Sequence, residues 1–150
     1  LRKKYQLALV AIGQIKSAAI RVQLFNILKD LEYKLPLIVS PRSHVSRTSK
    51  VGAGTIVMHD VIMNANADIG QNCIINNKAL IEHDAAVGDH CHIATGAIIN
   101  GGVNVDNKSF IGSGTVTKQS ISIGSNCVIG AGEFVKTNLR PQPSKRNCFF

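Results

Sequence analysis

Tryptophan is absent from this 150-residue chain, and only two tyrosines and five phenylalanines are present. Aromatic residues that sparse cannot interleave with basic ones as stacking platforms for bases, so no nucleic-acid partner is expected despite a net charge of +8. Much of that charge is terminal, with Arg2, Lys3 and Lys4 at one end and Arg140, Lys145 and Arg146 at the other. It reads as solvated charge, or as attraction for an anionic small molecule such as a coenzyme phosphate. Also missing is any apolar run near the ~20 residues that span a bilayer, which excludes membrane insertion as an expectation. The short run Leu7 to Ile12 behind the basic start lacks a signal-peptide cleavage region, and the reading is a cytoplasmic protein. No Gly-rich loop follows the first apolar run, Leu7 to Gly13, so a complete nucleotide-binding α/β unit is not expected here. The chain begins at Leu1 without Met, and the expectation is that an upstream half of that unit is missing.

What is present is a six-residue beat. Counting from Val45, every sixth residue is Val45, Val51, Val57, Met63, Ile69, Ile75, Ile81, Val87, Ile93, Ile99, Val105, Ile111, Thr117, Ile123, Ile129 and Val135. Only Thr117 is not aliphatic. Val, Ile, Leu and Met supply 43 of the 150 residues, so such regularity is not chance. Four residues after each anchor runs a second column of small or aliphatic side chains, from Ser49 to Leu139, in which Glu133 is the charged exception. Hexapeptide periodicity is the signature of a parallel β-helix, where each repeat buries its apolar face only against its neighbours. Three hexapeptides make one triangular coil, and coils ~4.8 Å apart give a prism roughly 25 Å long. Residues 18 apart therefore stack. Gly or Asn follows many anchors (Gly52, Asn64, Gly70, Asn76, Gly88, Asn100, Gly112, Gly124, Gly130), and these are read as corners with positive φ.

Ahead of the prism, Leu7 to Gly13 reads as a buried strand and Ile15 to Tyr33 as an amphipathic helix. Its apolar face is expected at Ile20, Leu24, Ile27, Leu28 and Leu31. Pro36 ends it, and Leu35 to Val39 forms a second apolar run. The organisation expected is a partial α/β subdomain over residues 1–40, a β-helix over 41–140 and a tail over 141–150.

Cys73, Cys91 and Cys127 fall in the small column at multiples of 18 residues, as stacked core residues rather than metal or redox groups; Cys148 lies in the tail. All five histidines lie outside both inward columns and are expected at the surface. Three of them, His83, His90 and His92, crowd together with Glu82, Asp84 and Asp89. A metal site is one reading of that cluster, but His83 and His92 are half a coil apart and cannot bind one ion within a single chain. No metal is expected. Acid/base catalysis is the other reading, with a His deprotonating an amine or hydroxyl as it attacks a thioester carbonyl. Asp84 would orient the His83 ring. Stacking puts Gly101 one coil above His83, where a backbone N–H could stabilise an oxyanion.

The stretch Asn76-Asn-Lys-Ala-Leu-Ile-Glu-His-Asp84, followed by Val-Gly-Asp-His-Cys-His92 and Ala-Thr-Gly-Ala97, resembles the left-handed β-helix acetyltransferases. Within them it is similar to the bacterial sialic acid O-acetyltransferase and bacillosamine N-acetyltransferase group, and the likeness runs from Leu7 to the end of the hexads. The resemblance implies a mainly β fold, a left-handed parallel β-helix, with a small truncated N-terminal α/β subdomain. It implies a homotrimer with acetyl-CoA in the cleft between prisms. His83 matches the family's general base and Asp84 its acidic support. Gly101 matches the backbone amide that polarises the thioester, and His92 a histidine contacting acetyl-CoA from the adjacent subunit. Ser113 and Ala131 match positions along the pantetheine arm, and Asn76 lies in the acceptor-side stretch. The tail from Arg140 is only loosely similar to the family's ending near the adenine. The function implied is acetyl transfer to the amino group of a nucleotide-linked sugar. A sugar hydroxyl, as in a sialic acid, and a catalytically silent trimeric scaffold are the alternatives.

Overall fold

The anchors fix the architecture because a two-residue strand with one apolar inward side chain can bury it only against the coils above and below. The computed structural model describes residues 4–143, in which one helix, α1 (Ala19–Asp30), precedes seventeen two-residue strands. The strands form three parallel sheets, the faces of a prism. The first face holds β1 (Ile38–Val39), β4 (Ile56–Val57), β7 (Ile74–Ile75), β10 (His92–Ile93), β13 (Phe110–Ile111) and β16 (Val128–Ile129). The second holds β2 (His44–Val45), β5 (Ile62–Met63), β8 (Leu80–Ile81), β11 (Ile98–Ile99), β14 (Val116–Thr117) and β17 (Phe134–Val135). The third holds β3 (Lys50–Val51), β6 (Asp68–Ile69), β9 (Ala86–Val87), β12 (Asn104–Val105) and β15 (Ser122–Ile123). Pairing runs at a constant offset of 18, as in Ile81 with Ile99 and Val87 with Val105.

Both inward columns are where the periodicity puts them. From Val57 to Ile129 every anchor is buried, and the small column fills the space between them with Ala67, Cys73, Ala79, Ala85, Cys91 and Ala97. Each fully buried Ile contributes about 1.5–3 kcal/mol. Polar members of the columns keep their hydrogen bonds. Thr55 Oγ1 donates to Gly70 O (2.8 Å) and accepts from Cys73 N–H (2.9 Å), while Thr117 Oγ1 accepts from Asn100 N–H (2.9 Å). Glu133 is only partly buried and lines an open cavity at the C-terminal end with Ile129, Phe134 and Leu139. The three stacked cysteines are all buried.

Positive φ does not fall on the residue after each anchor but on the third after it, at Asp60, Asn66, Asn72, Lys78, Asp84 and His90 and at Gly54, Gly96, Gly102, Gly114 and Gly132. The residue after the anchor is small for another reason. A Cβ on Gly52 would lie 2.6 Å from both Gln71 N and Gly70 C of the next coil, so backbone spacing rather than torsion selects glycine there.

The N-terminal segment departs further from expectation. The helix is shorter than the 15–33 span, and Leu7 makes only an isolated parallel bridge to Lys34. It ends in a Schellman motif, with Glu32 N–H on Lys29 O and Tyr33 N–H on Leu28 O, although Glu rather than Gly takes the left-handed position (φ 58°). Arg21 and Phe25 are the buried residues of α1, whereas Ile20, Leu24, Ile27 and Leu31 are exposed. The helix turns this way because the prism face beneath it is polar at Asn72 and His90. Arg21 reaches through to that face, its Nη1 donating to Val10 O and Ile12 O and its Nη2 to Asn72 Oδ1 (2.8 Å). Phe25 meets the His90 ring edge-on at 5.5 Å between centroids. Ile38–Val39 is the first rung of the first face, paired with Ile56–Val57, so the prism begins one hexad earlier than Val45. No helix among the described residues is long and apolar enough to cross a membrane. The tail reading from Ser144 onward, Cys148, Lys145, Arg146 and the basic residues Arg2 and Lys3 lie outside the described residues.

Candidate active site

β8 ends at Ile81, and the chain turns the corner toward β9 through Glu82, His83, Asp84 and Ala85. Ala85 must point inward, and this pushes His83 and Asp84 outward; their side chains are 57% and 59% exposed. Asp84 adopts φ 57°, which folds its carboxylate back beside the preceding ring. The His83 Nδ1–H donates to Asp84 Oδ2 over 2.9 Å, leaving Nε2 as the acceptor nitrogen. Hydrogen bonds from His83, first, and from Asn66 lower the Asp84 pKa below the usual carboxylate value.

Gly101 stacks one coil above. A Cβ there would lie 2.7 Å from His83 Nε2 and 2.8 Å from Cε1, so the ring occupies the space that any side chain at 101 would need. Gly102 N–H locks the register by donating to His83 O (3.0 Å). At three other corners the second N–H after the anchor is capped by the side chain 18 residues on: His59 by Asn77, Gln71 by Asp89 and Asp89 by Asn107. Among the described residues nothing accepts from the N–H of Gly101. An unused buried N–H beside an imidazole base is the arrangement that could serve an oxyanion and a proton at once.

His90 and His92 are not surface residues, since both are at least nine-tenths buried. The cause is the N-terminal segment, which the hexad pattern does not describe and which lies across the first face. His92 Nδ1–H donates to Gln14 O (2.7 Å), and its Nε2 accepts from Asn76 Nδ2 (3.3 Å); Phe110 packs edge-on at 5.1 Å. Asn76 Oδ1 accepts from Asn77 N–H (2.8 Å). His90 Nδ1 accepts from Asn72 Nδ2 (2.9 Å). Desolvation lowers both histidine pKa values, so both rings are neutral near pH 7. His92 and Asn76 are thus brought together as a pair, on a different face from His83. Ser113 and Ala131 are exposed and one coil apart at the corner that follows the first face. Gln14 and Arg21 carry no sequence signal for these contacts. Asn72 and Asn66 do: they lie 18 residues before His90 and Asp84.

Residues 102–136 match the hexapeptide repeat of succinyl-transferase. Solved structures extend the likeness to most of the chain. The chain is similar to sugar N-acetyltransferases. PerB from Caulobacter crescentus, in complex with CoA and GDP-perosamine, is 32% identical with a TM-score of 0.86, covering 89% of this chain and 63% of that one. The acetyltransferase domain of PglB from Neisseria gonorrhoeae, in complex with acetyl coenzyme A, is 27% identical with a TM-score of 0.83, covering 88% of this chain and 63% of that one. WeeI from Acinetobacter baumannii shares the fold at 22% identity and a TM-score of 0.85, over 91% of this chain and 66% of that one. This chain therefore spans a little under two thirds of PerB and of the PglB domain. No curated protein matches the sequence.

Proposed function

We propose that this chain transfers acetyl from acetyl-CoA to the amino group of a nucleotide-linked amino sugar by direct attack. The observation that carries the reading is His83, tied at Nδ1 to Asp84 and with Nε2 against Gly101, whose N–H is unused. The neutral amine attacks the thioester carbonyl while Nε2 takes its proton. Gly101 N–H donates to the oxyanion of the tetrahedral intermediate. Collapse breaks the C–S bond, and the departing thiolate takes the proton from His83, restoring the base. Supporting the substrate classes, the similar PerB structure holds CoA and GDP-perosamine and the similar PglB domain holds acetyl coenzyme A.

Ser113 and Ala131 are assigned to the pantetheine arm, His92 to acetyl-CoA and Asn76 to the acceptor. Asn76 has a second amide hydrogen beyond the one on His92. A homotrimer with shared clefts, a cytoplasmic location, an acceptor-side role for residues 1–40 and a place in surface-glycan biosynthesis complete the reading.

The test is thiol release from acetyl-CoA with GDP- and UDP-linked amino sugars, and separately with sialic acid. Transfer to the amine is expected, and His83→Ala is expected to lose about 10²–10⁴-fold in rate with the fold and assembly intact. Turnover only with the hydroxyl acceptor would move the assignment to O-acetylation. Undiminished turnover in His83→Ala would remove the base from the mechanism.

A further inference from the structure

Two exposed side chains on one turn do not hold each other in place. His83 and Asp84 are adjacent in sequence and their side chains are more than half exposed. A carboxylate free to rotate would meet the imidazole only part of the time, and each departure would release the ring from Gly101. Something must hold its far oxygen.

That contact comes from the coil below. Asn66 Nδ2 donates to Asp84 Oδ1 over 3.1 Å, while Oδ2 of the same carboxylate receives His83. Asn66 is itself fixed, at φ 60° with its N–H on Thr48 Oγ1 (3.0 Å), so Thr48, Asn66 and Asp84 climb one corner at 18-residue steps. A parallel rung stands beside it. Asn64 Nδ2 donates to Glu82 Oε2 over 2.7 Å, which engages the other carboxylate flanking His83 and leaves Asp84 as the imidazole's partner.

We propose that Asn66 is a positioning residue for the catalytic pair, holding the Asp84 carboxylate so that His83 Nε2 stays aimed at the reacting centre. The inference rests on His83 being the base. Asn66 touches neither substrate nor the reacting atoms; it acts through Asp84.

The variants Asn66→Gly and Asn66→Asp test this by steady-state kinetics across pH, with acetyl-CoA and the amino-sugar acceptor that the wild type uses. Glycine accepts positive φ and keeps the N–H on Thr48, so only the carboxamide is lost. It is expected to lower kcat roughly tenfold, a fraction of what a general base supplies, with the KM for acetyl-CoA and the melting temperature unchanged. Aspartate keeps size and turn preference but presents a carboxylate to a carboxylate. Its kcat relative to wild type should be lowest near neutral pH and rise toward about pH 5, where the introduced carboxyl begins to hold a proton it can donate to Asp84. A structural asparagine would show no such pH signature. Wild-type kcat in Asn66→Gly, or losses in kcat that track a fall in melting temperature, would overturn the proposal. Failure of the base reading is separate and is read from His83→Ala alone.

Discussion

Gly101→Ala adds one methyl group at the most sensitive point of the site. Gly101 is not among the positive-φ glycines, so the backbone accepts alanine without strain. The new Cβ would lie 2.7 Å from His83 Nε2, 2.8 Å from Cε1 and 3.3 Å from Cδ2. Ordinary carbon contacts begin near ~3.5 Å, so the ring must retreat by roughly 0.8 Å or swing away. With its side chain 57% exposed, His83 can do this into solvent. Folding stability should therefore stay within about 0.5 kcal/mol of wild type, as for a surface substitution. Catalysis has no such freedom, because misplacing a reacting group by ~1 Å costs on the order of 10²-fold. The alanine N–H still points where the glycine N–H did, so the loss isolates the displacement of His83 rather than a change at the proposed oxyanion donor. Thiol release at saturating acetyl-CoA and acceptor, run beside thermal unfolding, reads both quantities. A variant with wild-type kcat would refute the claim that the ring's place against Gly101 matters. A large drop in melting temperature would refute the claim that the ring is free to move.

Gly52→Ala should behave in the opposite way, because its Cβ would meet Gln71 N and Gly70 C at 2.6 Å, and backbone in a paired coil cannot step aside. A loss of about 1–3 kcal/mol in denaturant unfolding is expected, and an unchanged midpoint would contradict the spacing argument. Stability should also fall in mild acid. His90 and His92 have folded pKa values lowered by burial from 6.5, so the unfolded chain binds protons first. Their contribution is complete above about pH 6.5 and is lost as pH falls through the depressed folded values. Asp84, lowered from 3.8, adds a further loss only at still lower pH. The melting temperature measured from about pH 7.5 down to 5 checks this, and a flat profile would contradict it.

The prism was legible because its rule is one-dimensional: an inward anchor every sixth residue leaves no freedom about which residues stack. That arithmetic alone brings Gly101 against His83 and sets His92 on another face. It also contained Asn66 below Asp84, a contact visible once the 18-residue step is applied downward as well as upward. Glycine after the anchor misled, because small size and positive φ share one residue type, and sequence does not say which is being selected. The N-terminal segment was least legible. A helix read by its aliphatic stripe should bury Ile20, Leu24 and Ile27, yet α1 buries Arg21 and Phe25 against Asn72 and His90. That preference comes from hydrogen bonds 51 residues away in the chain, such as Arg21 to Asn72, which no local pattern records.

The constant 18-residue offset between paired strands has a kinetic meaning as well. Parallel sheets generally require the closure of long and unequal loops, and the entropy of each closure slows assembly. Here every closure is the same short one, so the solenoid can grow by adding rungs to any coil already formed. Asn66, His83, Asp84 and Gly101 lie on three consecutive rungs of one corner. These four residues therefore come together as soon as those rungs close, without waiting for the C-terminal strands.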